Sequence, residues 1–171
     1  KWGLIPGWAK DMSSTLINAR SESAAEKPSF RSAFRRRRCI VPADGWYEWN
    51  EADKNKVPNY FHFNNHRVFG IAGLWEVWQS PDGGEVPTFS LLTTDANNYV
   101  SSVHNRMPVI LHPEDYNLWL SDADEPVEML QSLMQPYGGG EISTYRVPKT
   151  VNKAGLEGAT LIQPLIEERL L

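Results

Sequence analysis

Residues 39–50 read CIVPADGWYEWN, and how this stretch folds decides the class of the chain. Cys39–Val41 and Gly45–Trp49 are short runs of β-branched and aromatic residues with turn-type residues between them, which predicts two strands. In a strand, successive side chains point to opposite faces, so Trp46 and Glu48 share one face and Tyr47 and Trp49 the other. Glu48 therefore stands among aromatic rings, where desolvation makes its charge expensive. A carboxyl walled by rings has its pKa pushed up and can hold a proton near neutral pH, as a general acid or base must.

Working outward, similar runs occur at Tyr60–Phe63, Val68–Trp75, Thr88–Thr93 and Val109–Leu111. Turn signals separate them, at Asn64-Asn65 and at Pro81-Asp82-Gly83-Gly84, and the second predicts a hairpin. Helical patterns are fewer. Asp95 to Val103 predicts a short helix with Asp95 as its N-cap. His112 to Leu120 has Pro113 near a first turn and acids that suit the helix dipole. Pro126 to Gln135 places Val127, Leu130, Leu133 and Met134 at helical spacing, ahead of Gly138-Gly139-Gly140. The tail returns to extended pieces around Ile142–Val147 and Thr160–Ile162. Strands early and helices late, without βαβ alternation, predict an α+β fold with a largely antiparallel sheet. There is no internal repeat and no linker, so residues 1–171 read as a single domain.

Composition narrows the setting. The 171 residues are 41% hydrophobic and 22% charged, as in a globular protein. No apolar run approaches the ~18 residues of a membrane span, so no membrane partner is expected. The one cysteine, Cys39, excludes an intrachain disulfide, and a cytoplasmic monomer is the default expectation. The net charge of −4 hides an asymmetry: residues 1–40 hold nine Lys/Arg against three acids, while the remaining 131 hold eight against eighteen. Such a split predicts an anion-binding face on an acidic body. Its peak is Arg31 followed by Arg35-Arg36-Arg37-Arg38. Read as a strand, Arg36 and Arg38 share a face opposite Arg35 and Arg37.

Several chemistries find little support. His62 and His66 are four apart but lie among strand and turn signals, and His112 precedes Pro113 at a helix start, so no metal site is expected. Neither a Walker pattern nor a dinucleotide fingerprint occurs, and no cofactor is expected. Cys39, approaching a strand among apolar residues, reads as a structural cysteine. The polar residues set in dense segments are more informative. Asn18 and Arg20 in LINAR share a face if extended. Thr93 and Thr94 in LLTTDAN fall at a strand end. His104 and Arg106 in VHNRMPVIL come just before a buried-looking strand, a pairing that points to acid–base work beside a bound anion.

Taken together, KWGLIPGW, INARSESA, RRCIVPADGWYEW, FGIAGLWE, LLTTDAN, HNRMPVIL, VNKAG and LIQP run from Lys1 to Pro164 and resemble the SRAP family, named for SOS-response-associated peptidase. The resemblance implies an α+β domain around a barrel-like antiparallel sheet with a few flanking helices. It implies a protein of the DNA damage response, bacterial members being nucleoid-associated, that binds single-stranded DNA and reacts covalently with abasic sites. The implied nucleophile is an N-terminal cysteine bared by self-processing of the initiator methionine; its amine and thiol close a thiazolidine on the sugar aldehyde. Carried onto this chain, Glu48 is the acid–base residue, His104 protonates the sugar ring oxygen and Asn18 hydrogen-bonds in the pocket. Thr93 lines that pocket, Arg20 and Arg106 hold phosphates, and Trp8 stacks on bases. The family's opening Met-Cys-Gly-Arg does not occur in the sequence, which is expected to lack its N-terminal segment; Cys39, being internal, has no α-amine and cannot replace that cysteine. The competing readings are a peptidase acting on other proteins, a non-catalytic single-strand-binding module, and a carbohydrate-processing site using Glu48 with Glu22 or Asp44.

Overall fold

The computed structural model describes residues 1–13, 15–50 and 54–165. In chain order the elements are β1 (Asn18–Arg20), α1 (Ser21–Ala24), α2 (Arg31–Arg36), β2 (Arg38–Ala43), β3 (Trp46–Trp49), β4 (Pro58–Phe63), β5 (Phe69–Gln79) and β6 (Glu85–Asp95). They continue with β7 (Arg106–Pro108), β8 (Ile110–Leu111), α3 (Tyr116–Trp119), α4 (Val127–Ser132) and β9 (Ile142–Arg146), joined in places by 3₁₀ turns. The fold is α+β, as the patterning predicts: β3–β4, β4–β9, β5–β6, β5–β8 and β6–β7 pair antiparallel, and β1 pairs parallel to β6. The described residues cluster in two compact units. One comprises Lys1–Pro42, Phe69–Asp95 and Arg106–Tyr137; the other comprises Ala43–Val68, Ala96–Asn105 and the described residues from Gly138 onward.

The first unit is built on the β5–β6 hairpin. Its turn falls where the Pro-Asp-Gly-Gly signal predicts, with Ser80 N–H donating to Gly84 O at 2.8 Å and Gly83 at φ 88°. That positive φ is the reason glycine stands there. The sheet runs β1-β6-β5-β2, with β7 on β6 and β8 on β5. Leu74, Leu92, Val109 and Leu111 form a core with Phe34 of α2, Trp119 of α3 and Leu130 of α4. Met134 joins this core and Val127 and Leu133 pack against it, as the spacing over Pro126 to Gln135 predicts, although the helix itself stops at Ser132.

The second unit carries the three-stranded sheet β3-β4-β9. Trp46 pairs with Phe61 in the β3–β4 register and their rings stack at 5.0 Å. On the other face, Tyr47 and Trp49 lie 6.4 Å apart, which bears out the expected alternation.

Three local expectations are corrected. The Arg run is not one strand: Arg35 and Arg36 end α2, and β2 begins at Arg38. Phe30, Ala33 and Phe34 supply a helical i, i+3, i+4 apolar stripe that outweighs the charges beside it. Asp95 does not cap a helix, because β6 extends through it to pair with Arg106; ahead of the Val100–Ser102 turn, Asn97 Oδ1 accepts from Tyr99 and Val100 N–H at 3.0 and 2.8 Å. The tail around Thr160–Ile162 is a 3₁₀ turn, held by Tyr47 Oη and Tyr145 Oη donating to the carbonyls of Leu161 and Ile162.

Arg38 is buried, and its guanidinium donates to the carbonyls of Trp119 (2.7 Å), Phe34 (2.9 Å), Arg35 (2.5 Å) and Ser121. It ties α2, β2 and the end of α3 together through donors that no apolar side chain replaces. Arg38→Leu should therefore lower unfolding free energy by at least ~2 kcal/mol, since each stranded buried carbonyl costs about 1–3 kcal/mol. Denaturant unfolding checks this, with the exposed Arg36→Leu as the comparison.

Candidate functional site

In the second unit, Glu48, Trp49, Asn50, Lys56, His104 and Asn152 line a cavity of about 610 Å³. Glu48 arrives on β3, opposite Asn59 of β4. His104 arrives on a loop closed at its base by Ala96 N–H donating to Asn105 O at 3.0 Å. That loop is anchored by the buried Val100 and by Tyr99 packing edge-on against Phe61, with ring centroids 6.4 Å apart. His104 Nδ1 then stands 3.6 Å from Glu48 Oε2, their side chains 24% and 18% exposed. The sequence pointed to both residues, and the fold brings them together.

Burial pushes the Glu48 carboxyl from its ordinary 4.5 up to about 7, with the neighbouring His104 drawing it partly back down. The cause anticipated from sequence, removal of water from a carboxylate, is the one at work. The walls differ in detail: of the three aromatic residues flanking Glu48, Trp49 lines the cavity, while Trp46 is buried against Phe61.

Lys56 and Asn152 carry no distinguishing residue pattern in the sequence. Asn152 Oδ1 accepts from Trp49 Nε1 at 2.8 Å, and its amide donates to Lys56 O at 3.4 Å, so one side chain fixes two parts of the wall. Lys56 adopts φ 48°, a left-handed backbone uncommon for a residue with a side chain. Asn152 lies in VNKAG, one of the segments that carry the family resemblance, and that is the one signal that could have drawn attention to it.

The other candidates lie in the first unit. Because β1 is parallel to β6 with Asn18 opposite Leu91 and Arg20 opposite Thr93, the side chains of Asn18, Arg20 and Thr93 share a sheet face. Both Asn18 and Arg20 are exposed. Arg106 stands on β7 opposite Asp95, and its guanidinium is already engaged. It donates to Glu22 at 2.7 and 3.0 Å, to Asp95 at 2.7 Å and to Thr93 O at 2.7 Å. The Arg106 bond holds the Glu22 carboxyl below its usual range. A phosphate reaching Arg106 has to share it with those carboxylates or displace them. Trp8 is 68% exposed.

Cys39 lies partly buried in β2, and burial pushes its thiol up to about 11, away from nucleophilic use at neutral pH. His62 and His66 stack ring on ring at 4.5 Å, and His112 stacks on Tyr137 at 4.6 Å. Among the described residues, no group of three or more His, Cys, Asp or Glu is placed to hold a metal ion. No helix among them is long and apolar enough to cross a membrane.

Comparison with known proteins places these features in a class. The profile of the SOS response associated peptidase (SRAP) family matches residues 1–154, and the chain belongs to that family. It is 41% identical over 166 residues to the abasic site processing protein YoqW of Bacillus subtilis (strain 168), spanning 95% of this chain and 74% of that protein. It is also 31% identical to the abasic site processing protein HMCES of Xenopus tropicalis, spanning 88% of this chain and 52% of that longer protein. A crystal structure of a protein from Bacteroides thetaiotaomicron superimposes with a TM-score of 0.85 at 32% identity, covering 96% of this chain and 75% of that one.

The raised pKa links Glu48 protonation to folding. The folded state holds the proton more tightly than the unfolded state, so the protonated carboxyl costs nothing below pH 4.5 and the charged one destabilises as pH rises through about 7. Glu48→Gln should match the parent near pH 4 and exceed its stability at pH 8 by roughly 2–3 kcal/mol. Denaturant unfolding at the two pH values measures the difference.

Proposed function

We propose that the complete protein binds single-stranded DNA and captures abasic sites covalently through an N-terminal cysteine, in the DNA damage response. The observation that carries this reading is the Glu48–His104 pair in its cavity, a carboxyl held near neutrality 3.6 Å from an imidazole. Support comes from family membership and from relatives named as abasic site processing proteins.

In this reading, removal of the initiator methionine bares the cysteine α-amine, the self-processing step to which the family's peptidase name refers. Ionised Glu48 takes a proton from the ammonium, whose ordinary pKa is near ~8. His104 donates a proton to the sugar ring oxygen while the C1 hydroxyl gives up its own to water, so that the ring C–O bond breaks and the aldehyde forms. The amine adds to the aldehyde carbon, water leaves, and an imine remains. The thiol sulfur then bonds to the imine carbon while its proton passes to nitrogen, and a thiazolidine closes. Asn18 gives a hydrogen bond to the bound nucleotide and Thr93 lines its surroundings. Arg20 and Arg106 hold phosphates, and Trp8 stacks on a base, a contact of ~1–3 kcal/mol.

The direct test incubates the complete protein, its N-terminus confirmed by intact mass, with a single-stranded oligonucleotide bearing one abasic site. A band that survives denaturing electrophoresis and disappears when the N-terminal cysteine is replaced supports the chemistry. Salt-sensitive binding without that band would leave a non-catalytic DNA-binding module. The rate of adduct formation should rise as pH passes through about 7, where Glu48 loses its proton. Glu48→Gln should slow capture by ~10²-fold or more and move the inflexion toward the amine, with binding of intact strands nearly unchanged. Equal loss of capture and binding would make Glu48 architectural. Arg20→Ala should reduce the slope of log affinity against log salt by ~0.7, one phosphate contact on a single strand; an unaltered slope would remove Arg20 from the interface.

A further inference from the structure

The four consecutive arginines that dominate the charge of the first forty residues divide into three different environments. Arg38 is turned inward onto backbone carbonyls. Arg37 pairs with Glu76 at 2.6 Å and donates to Ser32 Oγ at 3.0 Å, while its Nε is buried with no hydrogen-bond partner among the described residues. Arg35 and Arg36 are exposed, as is Arg31, and among the described residues no carboxylate pairs with any of the three. Arg31 and Arg35, four apart on α2, fall on the same helix face.

These residues line an open groove of about 590 Å³ in the first unit, with Ser32 and with Glu26 as the only acid of its wall. Four guanidinium groups thus share one groove with two carboxylates to offset them, Glu26 and the Glu76 bound to Arg37. Gathering unpaired like charges costs free energy through mutual repulsion, and the cost is relieved when an anion enters. Among the described residues no aromatic side chain lines the groove, so they offer no platform for a base. Its donors are planar forks that match the oxygens of a phosphate.

We propose that the Arg31–Arg35–Arg36 groove is a second nucleic-acid contact of this protein, binding the phosphates of a DNA strand without reading its bases. The proposal rests on the single-stranded-DNA reading above and adds a surface that lies apart from the sheet face of Asn18, Arg20 and Thr93 in sequence and on a different element. Phosphate contacts of this kind contribute affinity and register but no sequence preference.

The test compares the complete protein with its R31Q/R35Q/R36Q variant, by fluorescence anisotropy on mixed-sequence single-stranded oligonucleotides over about 50–200 mM salt. The three side chains are exposed, and Arg38 is untouched, so the variant should keep its melting temperature. The slope of log affinity against log salt should be shallower in the variant by up to about 2, at ~0.7 for each phosphate no longer neutralised. Arg35→Gln alone should produce about a third of that change, and base composition should alter neither difference. Equal slopes in parent and variant would overturn the groove while leaving the DNA-binding reading intact. Failure of the parent to bind any single strand would overturn both. If polyglutamate binds the parent as tightly as the oligonucleotide and loses that binding in the variant, the groove is a site for acidic protein and the proposal falls.

Discussion

Phe61 is fully buried, with the Trp46 indole stacked at 5.0 Å and the Tyr99 ring edge-on at 6.4 Å. Trp46 belongs to the strand that carries Glu48, and Tyr99 to the loop that carries His104. One phenyl ring on β4 therefore sets the positions of two side chains that are 56 residues apart in sequence and 3.6 Å apart in space. The arrangement is tightly determined because aromatic stacking and edge contacts both restrict ring geometry. The Glu48 carboxyl is itself largely buried, so its charge is costly. A carboxyl pushed up to about 7 follows from burial, with His104 partly offsetting it.

The first unit manages its charges differently. There the long β5–β6 hairpin supplies the frame, and polar groups are placed by register on its flanks. Arg106 is held by two carboxylates and a carbonyl, a network that orders the β6–β7 edge. Arg38 is consumed by structure, whereas Arg31, Arg35 and Arg36 remain in solvent. Adjacent residues of one type thus serve opposite ends, because helix α2 ends at Arg36 and the strand that follows turns its first side chain inward.

Much of the fold was legible in local pattern. β-branched and aromatic runs located β2, β3, β4, β5 and β6, and a Gly-Gly turn located the hairpin between the last two. What was misread has common physical causes. Helix α2 was hidden because charged residues obscure a three-residue apolar stripe. The strand at Asp95 outlasted its apparent cap because a cross-strand Arg–Asp pair, invisible in sequence, extends β6. At the tail, two tyrosine hydroxyls hold the carbonyls of Leu161 and Ile162 in a 3₁₀ turn where propensity favoured an extended piece.

The candidate residues divide along the same line. The direction of the Glu48 pKa shift could be anticipated from the sequence, because a carboxyl set among residues that favour burial tends to lose its water. The family, too, was carried by ordered sequence segments. Only the tertiary structure decided that His104 reaches Glu48, that Asn152 ties Trp49 to the Lys56 backbone, and that Arg106 is already occupied by Glu22 and Asp95. Those facts depend on contacts between residues 11 to 103 positions apart. Sequence neighbours dictate which groups can ionise or stack, but long-range packing alone determines which of them meet.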